Sequence, residues 1–474
     1  MKTPKRWAVL TTIQLAVATA MSPAAQGAQK FQLITLDPGH FHASLVQASM
    51  YADVDLQVHA YAPPGSDLTE HMKRVEHFNT RAENPTQWRT ETYTGKDYFE
   101  KMLGDKPGNI VVISGNNARK SDYVLRSVQA GLNVLADKPM VIVPGDLPRL
   151  QQAFAAAKAK NVLLYDIMTE RYEITSILQR ELSQQKSLFG ELQQGSPQQP
   201  SLVQESVHYY SKVVAGAPLI RPQWFFDVRQ AGEGIVDVTT HLVDLAQWLG
   251  FPGQALEPAD AKVLTARRWS TPLTPAQFKL VTGADSFPAN LANDVREGTL
   301  HVYSNGEFTY RLRGVHARIA ATWDFRSPPG SGDTHYSTMR GTRAALTIRQ
   351  GAAEKFKPLL YVENMPDVDA TAHENALQAA IARLQEKYPG VGVRRATESK
   401  SSAKSSTWVV TVPEKYDVGH EAHFAQVTQN FLHYLRAGDL PAWEVPNMLT
   451  KYATIMQAYE LSHAVEDRKS ADVP

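Results

Sequence analysis

The sequence predicts an α/β chain: a doubly wound parallel sheet first, then an α+β unit with a mainly antiparallel open sheet. Three observations carry this. Between Phe31 and Ile167, short apolar runs alternate with helical patterns, the mark of strand–helix–strand units. After about residue 170 the β-like runs follow one another across turn residues instead. The chain has 474 residues, 43% of them hydrophobic. That is too long for one ordinary core, so two domains are expected.

The elements follow in order. Phe31–Thr35 reads as a buried strand, and Leu56–Ala62 as a second that ends in the turn signal Pro63-Pro64-Gly65. Asn109–Ile113 is short and β-branched. Asp122–Ala130 has helical spacing (Val124, Leu125, Val128), with Gly131 where a helix cap belongs. Asn133–Ala136 and Val162–Ile167 are strands on either side of an Ala-rich helix, Leu147–Lys160. In the second half, His301–Tyr303 and Glu307–Leu312 flank Ser304-Asn305-Gly306, a hairpin signal. Further β-like runs lie at Ile319–Trp323 and Ala344–Ile348, and helices at Ala422–Leu435 and Met448–Ser462 close the chain. Thr397–Ser406 is low-complexity and solvated.

Charge and composition exclude several functions. Lys+Arg is 49 and Asp+Glu is 48, for a net charge of +1, without the basic surplus of a nucleic-acid binder. Cysteine is absent, so disulfides, thiolate metal sites and thiol nucleophiles are excluded. Lys2, Lys5 and Arg6 precede an apolar stretch, Trp7–Ala20, and then the small residues Ser22–Ala28. This is the build of a secretory leader, and it is too short to span a membrane comfortably. The leader carries three cations and no acid, so the remainder has a net charge of −2. Cleavage after Ala20, Ala24 or Gly27 fits equally. The expected organisation is a leader over 1–28, a first domain over 29–168 and a second over 169–474, with the protein periplasmic or secreted and without a membrane span.

Two motifs stand in order along the chain. Ala136-Asp137-Lys138-Pro139 ends the strand after Gly131, and Gly234-Ile235-Val236-Asp237-Val238-Thr239-Thr240-His241 follows about 100 residues later. Together they resemble the Gfo/Idh/MocA oxidoreductases, in which a Glu-Lys-Pro motif ends a strand of the nucleotide domain and an Asp-x-x-x-His pair lies on a helix of the second. The resemblance covers roughly residues 31–350. It implies a Rossmann domain that holds NAD or NADP, a second domain whose open sheet mediates oligomers in many members, and a sugar or glycoside as substrate. Lys138, Asp237 and His241 are then the catalytic candidates. Lys138, with its pKa lowered by burial, would handle a substrate hydroxyl proton. Asp237 and His241, four apart on one helix face, would position the sugar and exchange a proton with it. Asp244 continues their stripe.

The chain departs from the family at the cofactor loop. A Gly-x-Gly-x-x-Gly fingerprint gives a tight turn, close approach to the pyrophosphate and close helix packing. Here the loop reads Leu36-Asp37-Pro38-Gly39-His40-Phe41-His42-Ala43, so only the middle glycine remains. Asp37 at the first position would repel a pyrophosphate, and His42 adds bulk at the third. The acid expected at the end of the second strand is also missing; Asp67 lies past the turn. The candidate cofactor contacts are Asp37, Gly39, His40, Phe41, His42, Ser114, Asn116, Asn117, Asp137, Lys138 and Pro139.

Substrate contacts are expected from Arg171 and Tyr172 after the last strand of the first domain, where the family lines its cleft, and from His208, Arg221 and Trp224, since aromatics stack on sugars and Arg or His bind hydroxyls. His40 and His42 form a His-x-His beside Asp37. That spacing serves in metal sites and equally in hydrogen-bonded loops; a metal would leave His208 or His335 as a distant ligand. No metal is assigned. Three functions remain open at this point. The first is an exported oxidoreductase that acts by hydride transfer at a sugar hydroxyl, including a redox-neutral glycosidase or epimerase-like cycle. The second is a non-redox or metal-assisted sugar hydrolase or lyase, and the third a non-catalytic sugar-binding protein.

Overall fold

The computed structural model describes residues 31–214, 217–396 and 406–471. The leader and nearly all of Thr397–Ser406 lie outside the described residues. The first domain is a six-stranded, all-parallel sheet. Its strands are β1 (Leu33–Leu36), β2 (Gln57–Tyr61), β3 (Arg89–Tyr93), β4 (Ile110–Ile113), β5 (Asn133–Asp137) and β6 (Leu164–Ile167). Their order, β3-β2-β1-β4-β5-β6, reverses direction at β1/β4, where open α/β sheets bind ligands at the strands' carboxyl ends. The crossovers are α1 (His42–Leu45), α2 (Ser66–Thr80), α3 (Tyr98–Asp105), α4 (Lys120–Gln129) and α5 (Leu147–Lys160). β1, β4 and β6 are buried at every residue, as expected of strands covered on both faces.

After α6 (Ile174–Ser183) and α7 (Lys186–Phe189), the long β7 (Leu202–Ser211) enters a second sheet. A small hairpin, β8 (Val213–Val214) with β9 (Ala217–Pro218), leads to α8 (Val228–Ala231) and α9 (Thr239–Gly250). Then come β10 (Ala261–Leu273), α10 (Pro275–Thr282), β11 (Val295–Arg296), β12 (Thr299–Leu312), β13 (Val315–Arg326), β14 (Thr334–Arg340), β15 (Ala344–Arg349) and β16 (Leu359–Asn364). The chain ends with α11 (Ala370–Lys387), β17 (Gly392–Arg395), β18 (Thr407–Thr411), α12 (Gly419–Ala437) and α13 (Glu444–Ala471). The sheet has ten strands in the order β10-β12-β13-β7-β14-β15-β16-β18-β17, with β11 beside β12. Every pairing is antiparallel except β13 with β7. α9, buried nearly throughout, packs against β7 and β13.

Three details differ from expectation. Ser304-Asn305-Gly306 is not a turn: β12 runs straight through it. Asn305 fills an irregularity in the β10–β12 register near Trp269. Its amide donates to Trp269 O (3.1 Å) and Thr271 Oγ1 (2.8 Å) and accepts from Trp323 N (2.7 Å). A Cβ on Gly306 would lie 2.4 Å from Ile235 Cα, so the glycine serves close packing. The hairpin turns instead at Arg313-Gly314, both at positive φ (46° and 87°). Second, α9 begins at Thr239, which leaves Asp237 in the preceding turn rather than on the helix. Third, the C-terminal helices also bind the first domain. Tyr165 stacks on Phe431 at 6.0 Å, and Tyr452 Oη donates to Asp166 at 3.2 Å. Among the described residues no helix is long and apolar enough to cross a membrane.

Candidate active site between the two sheets

The β1–α1 loop makes the turn of a nucleotide loop with unusual residues. Asp37 takes the left-handed conformation (φ 48°) normally left to glycine. Its carboxylate is buried and accepts from Tyr123 Oη at 2.9 Å. Burial raises its pKa, against the lowering effect of Tyr123. Gly39 keeps its role: a Cβ would stand 2.7 Å from Asp67 Oδ2 and 3.0 Å from Trp224. His42 turns its ring to Asp137 (Nδ1–Oδ2 3.0 Å), and the helix it opens is only one turn long. Phe41 packs against both imidazoles, 4.6 Å from His40 and 4.4 Å from His42.

Gly115, just after β4, fixes this loop from below. A Cβ there would stand 1.9 Å from Asp37 O and 2.9 Å from Gly39 N, against backbone with no freedom to yield. Gly115→Ala is expected to displace the loop, at about 1–3 kcal/mol of overpacking. The displacement should weaken NAD binding in calorimetric titration more than it lowers the unfolding midpoint.

Beside the loop is a cavity of about 300 Å³, lined by Asp37, Pro38, Ser66, Asp67, Pro222 and Trp224 among others. That is the size of a small ligand pocket. Trp224 Nε1 donates to Asp67 Oδ2 at 2.7 Å. Trp224 therefore belongs to the nucleotide side rather than to the expected substrate wall, and Asp67 faces the cavity despite lying beyond the turn. The cavity beside the loop has room for part of a nucleotide. Asn116 and Asn117 do not point that way. Their amides donate to Gln230 Oε1 (2.7 Å) and Ala231 O (2.6 Å) and tie the domains together.

At the end of β5 the carboxylate of Asp137 gathers Ser114 Oγ (2.9 Å), His42 Nδ1 (3.0 Å) and His40 Nδ1 (3.3 Å). Burial opposes its charge, but the two imidazoles beside it outweigh burial and hold its pKa well below the carboxylate range. Next along the chain, before a cis bond to Pro139, Lys138 Nζ pairs with Asp237 Oδ1 at 2.7 Å. Burial works against the ammonium, but Asp237 and Asp137 prevail, and its pKa is raised. This reverses the expectation of a lowered lysine: Lys138 is a charged donor. His241 is the neutral partner. Burial, then the Lys138 charge, push its pKa well below the ordinary imidazole value. Its Nδ1 is buried and has no hydrogen-bond partner among the described residues.

The opposite wall contains His208, expected as a substrate contact, together with groups that sequence reasoning passed over. His208 Nδ1 meets Asp333 Oδ2 at 2.9 Å, and Lys212 Nζ meets the same oxygen at 2.5 Å. The His208 ring stacks on Trp323 at 5.1 Å. Glu170 stands near Lys138, Glu173 and Asp333; burial, then the two carboxylates, push its pKa up to about 7. His420 on α12 approaches His42 (ring centres 5.7 Å apart). Glu170 and Asp333 lay within stretches the sequence singled out, but their neighbours were chosen. Lys212 and His420 carried no local signal.

Two expected substrate contacts are committed elsewhere. Arg171 gives Nε and Nη2 to Asp244 (2.6 and 2.7 Å) and Nη1 to Glu444 (2.8 Å). Asp244 is thereby removed from the supposed Asp–His–Asp face. Arg221 donates to Tyr210 O (3.0 Å) and Tyr209 O (2.9 Å) beneath Phe225 and Trp323. Tyr172, half-buried, packs on the core.

Comparisons with known proteins agree with this architecture. Residues 178–463 match the family described as "Putative oxidoreductase C terminal domain". Residues 61–166 match "Oxidoreductase family, NAD-binding Rossmann fold"; that match begins downstream of the altered loop. A crystal structure of a "putative oxidoreductase" from Parabacteroides merdae is 50% identical, with TM-score 0.88, over 92% of this chain and 98% of that one. Levoglucosan dehydrogenase in complex with NADH and levoglucosan is 13% identical (TM-score 0.57, 91% of this chain and 97% of that one). GenD2 from gentamicin A biosynthesis, in complex with NAD, is 14% identical (TM-score 0.53, 92% and 95%). These last two show the fold alone. A search of curated proteins gave no match.

Proposed function

Because the chain belongs to the Gfo/Idh/MocA family of NAD(P)-dependent oxidoreductases, we propose that it is an exported carbohydrate enzyme that transfers hydride between a retained NAD(P) and a sugar hydroxyl. We further read the reaction as a redox-neutral cycle, such as glycoside cleavage or epimerisation. One observation carries the chemistry: the charged Lys138, fixed by Asp237, stands with the neutral, unpartnered His241 at the carboxyl edge of the nucleotide sheet. Together they supply a hydrogen-bond donor and a proton acceptor for one hydroxyl. The nicotinamide, when bound, takes and returns the hydride. His241 receives the hydroxyl proton, Lys138 steadies the developing charge on the oxygen, and Asp237 keeps the ammonium in place.

Retention is supported by the Trp224–Asp67 hydrogen bond, which brings the second domain over Gly39. Export, read from the basic-apolar leader, makes retention useful, because a cofactor that ends each cycle in its starting state needs no recycling partner. The levoglucosan bound by one distant neighbour points to the same substrate class.

Denaturing the purified mature protein should release one nucleotide per chain, seen by chromatography and absorbance. Glycosides should then be converted without net NADH accumulation. If no nucleotide is released and added NAD+ or NADP+ fails to bind, the hydride-transfer reading is lost. Conversion that produces stoichiometric NADH would leave a simple dehydrogenase and remove the closed cycle.

A further inference from the structure

We propose that His40, His42 and Asp137 form a binding site for one divalent transition-metal ion of the zinc type, with an open coordination position toward the cleft. The donors come from two loops that the parallel sheet brings together, after β1 and at the end of β5. Asp137 Oδ2 lies 3.3 Å from His40 Nδ1 and 3.0 Å from His42 Nδ1, and the three donor atoms lie within 4.8 Å of one another. Ligands at 2.0–2.1 Å around a tetrahedral ion stand about 3.3 Å apart, close to the two distances from Asp137 to the imidazoles.

A second observation is independent of that spacing. His40 Nδ1 and Asp137 Oδ1 are both buried without a hydrogen-bond partner among the described residues. His40 Nδ1 is close to Asp137 but not aligned to donate to it. Orphaned buried polar atoms are costly and call for an explanation. A cation would give His40 Nδ1 a partner, and would engage Asp137 Oδ1 as well if the carboxylate bound it through both oxygens.

A supporting shell is present: Ser114 Oγ donates to Asp137 Oδ2 at 2.9 Å, and Lys120 Nζ to the Asp137 backbone oxygen at 2.8 Å. Two ammonium groups are near. Lys138 is neutralised by Asp237 at 2.7 Å, and Lys120 Nζ is turned to the Asp137 backbone oxygen at 2.8 Å. Three protein ligands leave a position free, as in catalytic rather than structural sites. The 18% side-chain exposure of His40 puts it at the cleft edge. An ion there would polarise a sugar oxygen next to Lys138.

The test does not depend on any substrate. Untagged protein, purified without chelator, is assayed for bound metals. It is then stripped by chelator dialysis and titrated with Zn2+ and with Co2+, read by calorimetry and by the visible Co2+ spectrum. Expected are one tightly bound equivalent, an intense four-coordinate Co2+ band, and a rise in the unfolding midpoint on reloading. Ser114→Ala should weaken binding about 10–100-fold, and His40→Ala and Asp137→Asn should weaken it more, while His420→Ala leaves it unchanged. Circular dichroism checks that each variant folds. Failure of stripped wild-type protein to bind either ion overturns the site, as does a folded His40→Ala variant with wild-type affinity. Nucleotide release from the same samples is a separate readout, so loss of the metal site leaves the hydride-transfer reading standing.

Discussion

Replacing Lys451 by methionine is expected to destabilise the protein by about 3–5 kcal/mol, the usual cost of removing one partner from a buried ionic network. Lys451 is fully buried on α13, and its Nζ lies 2.7 Å from Asp166 on β6 and 2.8 Å from Asp244 on α9. One ammonium therefore joins the nucleotide sheet, the second domain and the C-terminal helix. Methionine keeps most of the volume, so the effect isolates the charge. Asp244 would retain Arg171, but Asp166 would be left with only Tyr452 Oη at 3.2 Å. Urea unfolding near neutral pH should show a lower midpoint. Adding Asp166→Asn should recover part of the loss, because the orphaned carboxylate goes with it. A loss below about 1 kcal/mol would mean that packing, not this charge, docks α13.

That network also shows where sequence reading stops. The spacing Asp237-x-x-x-His241-x-x-Asp244 suggested one continuous polar face, and Arg171 looked like a cleft residue. What decides their roles is Glu444, 273 positions from Arg171, and Lys451, 207 from Asp244; no local pattern reports such partners. Local patterns succeeded where local physics dominates. Leu147–Lys160 is helical over the span its alanines predict, and the apolar runs became the central strands. β3 was missed because Arg89–Tyr93 is a polar, mostly exposed edge strand without the apolar signal. Ser304-Asn305-Gly306 misled because a turn and a bulge-filling strand call for the same residues. In the site, Lys138 and His241 were legible because each sits in a contiguous motif. Glu170, Lys212, Asp333 and His420 meet only through the fold.

Replacing His241 by alanine is expected to lower turnover about 10²–10⁴-fold, the range for a general acid–base group, without loss of bound nucleotide. Lys138→Met should fall in the same range, since the alkoxide it steadies exists only on the way to the ketone. The pH profile separates their roles. A base whose pKa lies well below 6.5 stays competent through the neutral range, so the wild-type rate should not decline as pH falls to about 6 on account of His241. Lys138, raised above 10.5 because Asp237 and Asp137 outweigh burial, should stay charged well into alkaline pH. Asp237→Asn removes the carboxylate that outweighs burial. The lysine pKa should then drop, and an alkaline decline should move to lower pH. Any decline near pH 7 in the wild type belongs to Glu170, whose carboxyl is protonated below and ionised above about 7; Glu170→Gln should flatten it. A wild-type limb at 6.5 that survives Glu170→Gln and disappears in His241→Ala would show that the imidazole titrates freely. The buried, neutral acceptor on which the mechanism rests would then be wrong.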